Sequence, residues 1–172
     1  MNSPSHKSPP ADALIYTPEQ RRRRDESRWT LVQGILAPLQ FGVFLISVCL
    51  VVTTLVSGKW ALYATLSVIL KTFILYAIMI TGSLWEKDVF GRYLFAPAFY
   101  WEDMVSMLVM ALHTAYLAAV LFGFLSLRQQ MFLALTAYVS YVINAAQFLV
   151  KFRQARRSRD SGAYGATASV CQ

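Results

Sequence analysis

The chain has 172 residues, room for one domain, and 56% of them are hydrophobic, above the roughly 45–50% usual for soluble proteins. Its net charge of +7 is gathered at the two ends and leaves the middle nearly bare, and its mean hydropathy is +0.45. Basic clusters beside apolar runs are orientation signals and anionic-lipid contacts, so the charge argues for a membrane protein and against a nucleic-acid partner.

Residues 1–15 are rich in Ser and Pro and are expected to form a disordered head. Tyr16-Thr17-Pro18-Glu19-Gln20 then reads as a helix start. Thr17 can cap, Pro18 suits the first helical position, and Gln20 can complete a capping box. Arg21, Arg22, Arg23, Arg24 and Arg28 follow, giving a basic helix that leads into the bilayer. The first apolar run is too long for a signal-peptide core and is read as a retained span.

Residues 16–152 are expected to form a single four-helix membrane domain, with spans at about 29–56, 61–81, 104–124 and 129–150, each near the ~20 residues that cross a bilayer. Pro38 interrupts the first span and predicts a kink, and Gln33 and Gln40 lie two turns apart on one of its faces. Short turns between the first two and the last two spans make each pair antiparallel neighbours. The fold class is therefore all-α: an antiparallel bundle of four transmembrane helices with an aromatic-rich interfacial loop between the second and third. Residues 153–172 read as a basic, then flexible, tail.

Charge placement gives the expected orientation. Lys7, the five arginines above, Lys87, Arg92, Lys151, Arg153, Arg156, Arg157 and Arg159 share one side, against Lys59 and Arg128 on the other. Both termini and the central loop are thus expected on the cytoplasmic side. Trp29, Trp60, Trp85 and Trp101 all fall near span ends, as an aromatic belt requires.

The central connector, residues 82–103, carries seven aromatics (Trp85, Phe90, Tyr93, Phe95, Phe99, Tyr100 and Trp101) among four carboxylates, Glu86, Asp88, Glu102 and Asp103. Interfacial anchoring explains some aromatics, and the helix dipole explains acidic residues in a first turn. Together they exceed what anchoring needs and suit a flat, apolar, membrane-soluble substrate. Within the spans, Lys71 and His113 sit near mid-depth, where ionisable groups usually mark function or pair with one another. Glu102, Ser106 and His113 share one helical face, and Tyr141, Asn144 and Gln147 form a second polar stripe. The alternative for these amides and phenols is simple helix–helix hydrogen bonding. Cys49 and Cys171 lie in different environments, with no zinc-like spacing.

Tyr16-Thr-Pro-Glu-Gln-Arg, Trp29-Thr-Leu-Val-Gln-Gly, Ala37-Pro-Leu-Gln-Phe41, Trp85-Glu-Lys-Asp-Val-Phe-Gly, Leu94-Phe-Ala-Pro-Ala-Phe-Tyr-Trp-Glu-Asp103, Ala111-Leu-His-Thr-Ala-Tyr116 and Tyr141-Val-Ile-Asn-Ala-Ala-Gln-Phe148 resemble the 3-vinyl (2-vinyl) bacteriochlorophyllide hydratases. The likeness runs from about Tyr16 to Lys151. It implies a hydro-lyase of bacteriochlorophyll synthesis in the inner (intracytoplasmic) membrane of photosynthetic bacteria. Such an enzyme adds water to the C3 vinyl group of chlorophyllide a or 3-vinyl bacteriochlorophyllide a, giving a 1-hydroxyethyl group.

The implied partners are the Mg-tetrapyrrole substrate, the lipid bilayer and, as candidates, other enzymes of the same synthesis. No cofactor of the protein's own is implied, since hydration changes no electron count and the substrate brings its magnesium. The reaction needs an acid, a held water and a carboxyl group placed among apolar aromatics. By this reasoning Glu102 ranks first as acid and Glu86 second. Asp103 or Asp88 holds water, and His113 relays a proton or meets the substrate magnesium. The seven connector aromatics, Lys71, Tyr141, Asn144 and Gln147 are the candidate substrate contacts. A non-catalytic pigment carrier or photosystem assembly factor, and less so a small proton or ion transporter, are the competing readings.

Overall fold

A computed structural model describes the backbone of residues 16–170 and the side chains of residues 16–154. The expected head, with His6 and Lys7, lies outside the described residues, as do Cys171 and the side chains of Arg156, Arg157 and Arg159. Five helices and no strand occur among the described residues: α1 (Pro18–Glu26), α2 (Arg28–Ser57), α3 (Ala61–Phe90), α4 (Tyr100–Phe122) and α5 (Leu127–Val170). Four segments are long and apolar enough to cross a membrane: α2, α3, α4 and Leu127–Gln154 of α5.

α1 starts as its sequence predicts. The Thr17 hydroxyl accepts from the Gln20 amide at 3.2 Å, and the Gln20 side chain accepts from the Thr17 amide at 2.9 Å. The chain turns at Ser27 and enters α2, which continues through Pro38 to Gly58. Gly58, Gly91 and Gly123 close α2, α3 and α4 in the left-handed conformation. Glycine takes that conformation without the steric cost that a Cβ brings.

α2 packs along α3 and α4 along α5, and the two hairpins meet through α2 against α5 and α3 against α4. Ser27–Asp88, Thr30–Trp85 and Gln33–Thr81 form successive hydrogen-bonded pairs across the first hairpin. They step one turn along each helix in opposite senses, as antiparallel neighbours must. The bundle core contains Phe44, Val51, Val68, Leu75, Val109, Tyr116, Met131 and Tyr138. A second apolar cluster lies at the site end, built from Tyr16, Trp85, Val89 and Phe99.

The connector between the middle spans is shorter than expected. Residues 82–90 complete α3, residues 100–103 open α4, and only residues 91–99 are non-helical. The reason is local: Leu84, Trp85, Glu86 and Lys87 have no breaker among them, so the helix runs past the bilayer's apolar limit until Gly91 ends it. Trp85, Glu86, Asp88 and Phe90 are therefore helical residues, not loop residues.

Candidate functional site

Three carboxylates are buried at the end of the bundle where residues 91–99 join α3 to α4: Glu86 on α3, and Glu102 and Asp103 in the first turn of α4. A first-turn position suits a carboxylate because the helix's free N–H groups lie beside it. Asp103 accepts from the Phe95 amide at 2.7 Å, and Glu86 accepts from the Ala96 amide at 3.2 Å. Phe95 is held at φ 59°, a left-handed conformation costly for a residue with a Cβ. The two carboxyl groups thus pin a strained loop backbone between them, on the adjacent residues Phe95 and Ala96. Two carboxyl groups buried so near each other disfavour joint ionisation. Such a pair can serve as an acid and its partner base.

Glu102 has a different partner. The Lys151 ammonium on α5 lies 3.1 and 3.2 Å from its two oxygens and 5.5 Å from the Phe99 ring centre. Both oxygens of Glu102 are therefore engaged by one cation. Asp88, by contrast, is exposed and accepts from the Ser27 hydroxyl at 2.9 Å, which ties α3 to the α1–α2 junction.

The connector aromatics divide into two sets. Trp85, Phe90 and Phe99 pack edge to face, with ring centres 5.7–6.0 Å apart, and Tyr16 stacks on Phe90 at 5.7 Å. The Trp85 indole donates to Thr30 at 3.0 Å. Tyr93, Tyr100 and Trp101 instead face outward, with Trp101 71% exposed, and Phe95 lies against Tyr100 at 5.7 Å. Two further groups of aromatics thus flank the carboxyl pair: a packed wall and an open apolar surface.

Deeper in the bundle, Lys71 and His113 are fully buried and 3.1 Å apart. The His113 Nδ1 lies 2.8 Å from the Val109 carbonyl, which can only accept. Nδ1 therefore carries the proton, and Nε2 accepts from Lys71. The Lys71 ammonium also sits 3.9 Å from the Tyr141 ring centre and 5.1 Å from that of Tyr138. Such desolvated cation–π contacts are worth on the order of 2 kcal/mol. Between this layer and the carboxylates, Asn144 donates to the Ser106 hydroxyl at 2.8 Å, and Gln147 is half-buried.

Glu86 and Asp103 are thus brought together, Glu102 stands beside them with Lys151, and Lys71, His113 and Tyr141 form a separate inner group. Asn144 and Gln147 lie between. Lys151, Tyr16 and Gln40 were not among the residues expected at the site. For Lys151 a signal existed, because Glu102 and Lys151 lie at similar distances on either side of the α4–α5 turn.

A family model described as 2-vinyl bacteriochlorophyllide hydratase (BCHF) matches residues 16–154. The chain belongs to the 2-vinyl bacteriochlorophyllide hydratase family. Two relatives carry the same description. The protein of Rhodobacter capsulatus is 56% identical over 164 residues, covering 94% of each chain. That of Cereibacter sphaeroides is 61% identical over 142 residues, covering 83% of this chain and 88% of its own. No solved structure matches. The family match begins at Tyr16, the residue stacked on Phe90, and ends just beyond Lys151, so it takes in every group of the candidate site described above.

Proposed function

We propose that this chain is a membrane hydro-lyase that adds water to the C3 vinyl group of chlorophyllide a or 3-vinyl bacteriochlorophyllide a. The product carries a 3-(1-hydroxyethyl) group, a step of bacteriochlorophyll a synthesis. Beyond family membership, the observation that carries the reading is the Glu86–Asp103 pair, two buried carboxyl groups set on adjacent loop amides between a packed aromatic wall and an exposed aromatic surface.

The macrocycle lies on Tyr93, Tyr100 and Trp101, with its vinyl edge against the carboxyl pair. Glu86 gives its proton to the terminal vinyl carbon, using the π electrons of the double bond. The cation that forms beside the ring is delocalised into the macrocycle, so the protein mainly supplies the acid and the positions of the reactants. Water then bonds to the cationic carbon beside the ring and passes one proton to the carboxyl pair, which restores it. The balance is one water consumed per vinyl group, with no change in electron count and no cofactor of the protein's own.

Glu86 takes the acid role ahead of Glu102, because both Glu102 oxygens are engaged by Lys151. Both ring nitrogens of His113 are engaged within the bundle, so it is assigned to the interior and not to the substrate magnesium. The termini and residues 91–99 face the cytoplasm of the intracytoplasmic membrane. There the pigment can pass between this protein and other enzymes of the same synthesis.

The test is to incubate membranes carrying the protein with 3-vinyl pigment and follow the blue-shifted hydroxyethyl product. Unchanged pigment with correctly folded protein would sink the reading, and stoichiometric binding without conversion would make the protein a carrier. Glu86→Gln keeps an acceptor for the Ala96 amide and a donor for Asp103, so assembly is preserved. Loss of the acid should lower turnover by about 10²-fold or more. If Glu102→Gln abolishes turnover while Glu86→Gln does not, the acid is Glu102.

A further inference from the structure

Gln40 is a buried amide of α2 that the site described above leaves unused. It is 1% exposed, and neither its amide nitrogen nor its amide oxygen has a hydrogen-bond partner among the described residues. Asn144 is 9% exposed, its amide nitrogen donates to Ser106, and its amide oxygen has no partner among the described residues. The Gln147 side-chain oxygen is likewise unpartnered. An isolated amide buried without a partner is destabilising, and native interiors rarely keep one without a reason.

Gln40 and Asn144 lie at one level of the bundle, and Gln147 one turn beyond it along α5. Phe44 of α2 meets Tyr141 of α5, with ring centres 5.1 Å apart. From that contact Gln40 is one turn along α2 and Asn144 one turn along α5, both toward the site end, because the two helices run in opposite directions. Ser106, bonded to Asn144, is one turn along α4 from Glu102 and Asp103. The layer therefore begins a single helical turn from the carboxyl pair.

The open valences are of both kinds, a donor and an acceptor on Gln40 and further amide atoms on Asn144 and Gln147. The peripheral oxygens of a tetrapyrrole, carbonyls and carboxylates, satisfy donors alone. Water both donates and accepts, and it fits a site with two to four polar partners.

We propose that Gln40, Asn144 and Gln147 hold water inside the bundle and deliver it to the Glu86–Asp103 pair as the nucleophile. This rests on the hydratase reading above. Gln40 is then a positioning residue: it fixes the water whose oxygen bonds to the carbon beside the ring and whose proton returns to the carboxyl pair. Supply from within the bundle keeps the reacting cation away from bulk nucleophiles.

The test compares wild type, Gln40→Met and Gln40→Asn in native membranes. Met matches the size of Gln without its donor and acceptor, whereas Asn keeps both. Pigment turnover is measured beside radiolytic hydroxyl labelling, which marks side chains next to bound water. Gln40→Met is expected to lower kcat about tenfold or more with KM for pigment unchanged. Gln40→Asn should restore part of that loss, and labelling of Phe44 and Tyr141 should fall in the Met variant.

Wild-type kcat in Gln40→Met would overturn the proposal, as would a raised KM at unchanged kcat or an unlabelled wild type. A wild type that is labelled but converts no pigment would support the water site while removing the activity it is said to serve.

Discussion

Lys151 and Glu102 bring a cation and a carboxylate together where the Glu102 side chain is only 9% exposed and that of Lys151 is 24% exposed. An ion pair in that setting is more valuable for what its loss leaves behind than for its own net strength, because a stranded carboxylate must be desolvated alone. Lys151→Met should therefore destabilise the protein by about 1–3 kcal/mol, read as a lower Tm in detergent. Adding Glu102→Gln should recover part of that loss, because the two effects share one interaction and do not add. A double variant as unstable as the sum of the singles would mean that the pair is not coupled. This partnership was only partly legible in the sequence, through the similar distances of Glu102 and Lys151 from the α4–α5 turn. Glu102 was recognisable as a buried acid on a polar face, but its partner lies on another helix and depends on the α4–α5 register. Lys71 and His113 were easier to foresee, since each sits near the middle of an apolar run where few other partners exist.

At the level of the elements, apolar length located the four long helices, while α3 and α4 run past the apolar stretches on the loop side. The apolar run of α3 stops near residue 81, whereas the helix stops at Gly91, because the bilayer and the backbone obey different limits. The carboxyl pair was hidden for the same reason. Glu86 and Asp103 meet only because residues 91–99 fold back tightly, with Phe95 and Ala96 amides pinned to them. α1 was legible down to its capping box, yet its docking was not. Tyr16 is 3% exposed against Phe90 and Phe99, and its ring meets the Arg24 guanidinium at 5.1 Å. Tyr16→Ser removes the ring that fastens α1 to the aromatic wall. Trypsin should then cleave after Arg21, Arg22, Arg23 and Arg24 several-fold faster, while the four-span core stays intact. Equal cleavage rates in variant and wild type would show that α1 is held by other contacts.

For the whole molecule, charge distribution argues that the site end faces the cytoplasm. In a variant lacking Cys49 and Cys171, Lys59→Cys should react with a membrane-impermeant maleimide in intact cells, and Lys87→Cys only after permeabilisation. The opposite labelling pattern would invert the orientation. The bundle also has a mechanical property set by its connections. The turns at Gly58 and Gly123 lie at one end of the bundle, and the carboxyl pair lies at the other, where residues 91–99 join the two hairpins. Each hairpin is thus one arm of a pair of tongs, hinged at the carboxyl pair. With 30 residues in α3 and a rise of ~1.5 Å per residue, a change of about 5° between the arms moves their far tips by about 4 Å. The bilayer acts along the whole length of the arms, so its thickness is expected to set the angle at the hinge where Phe95 and Ala96 are held. Reconstitution in bilayers of graded acyl length should shift turnover through a maximum while the helical content stays constant, and a flat profile would mean that the arms are locked.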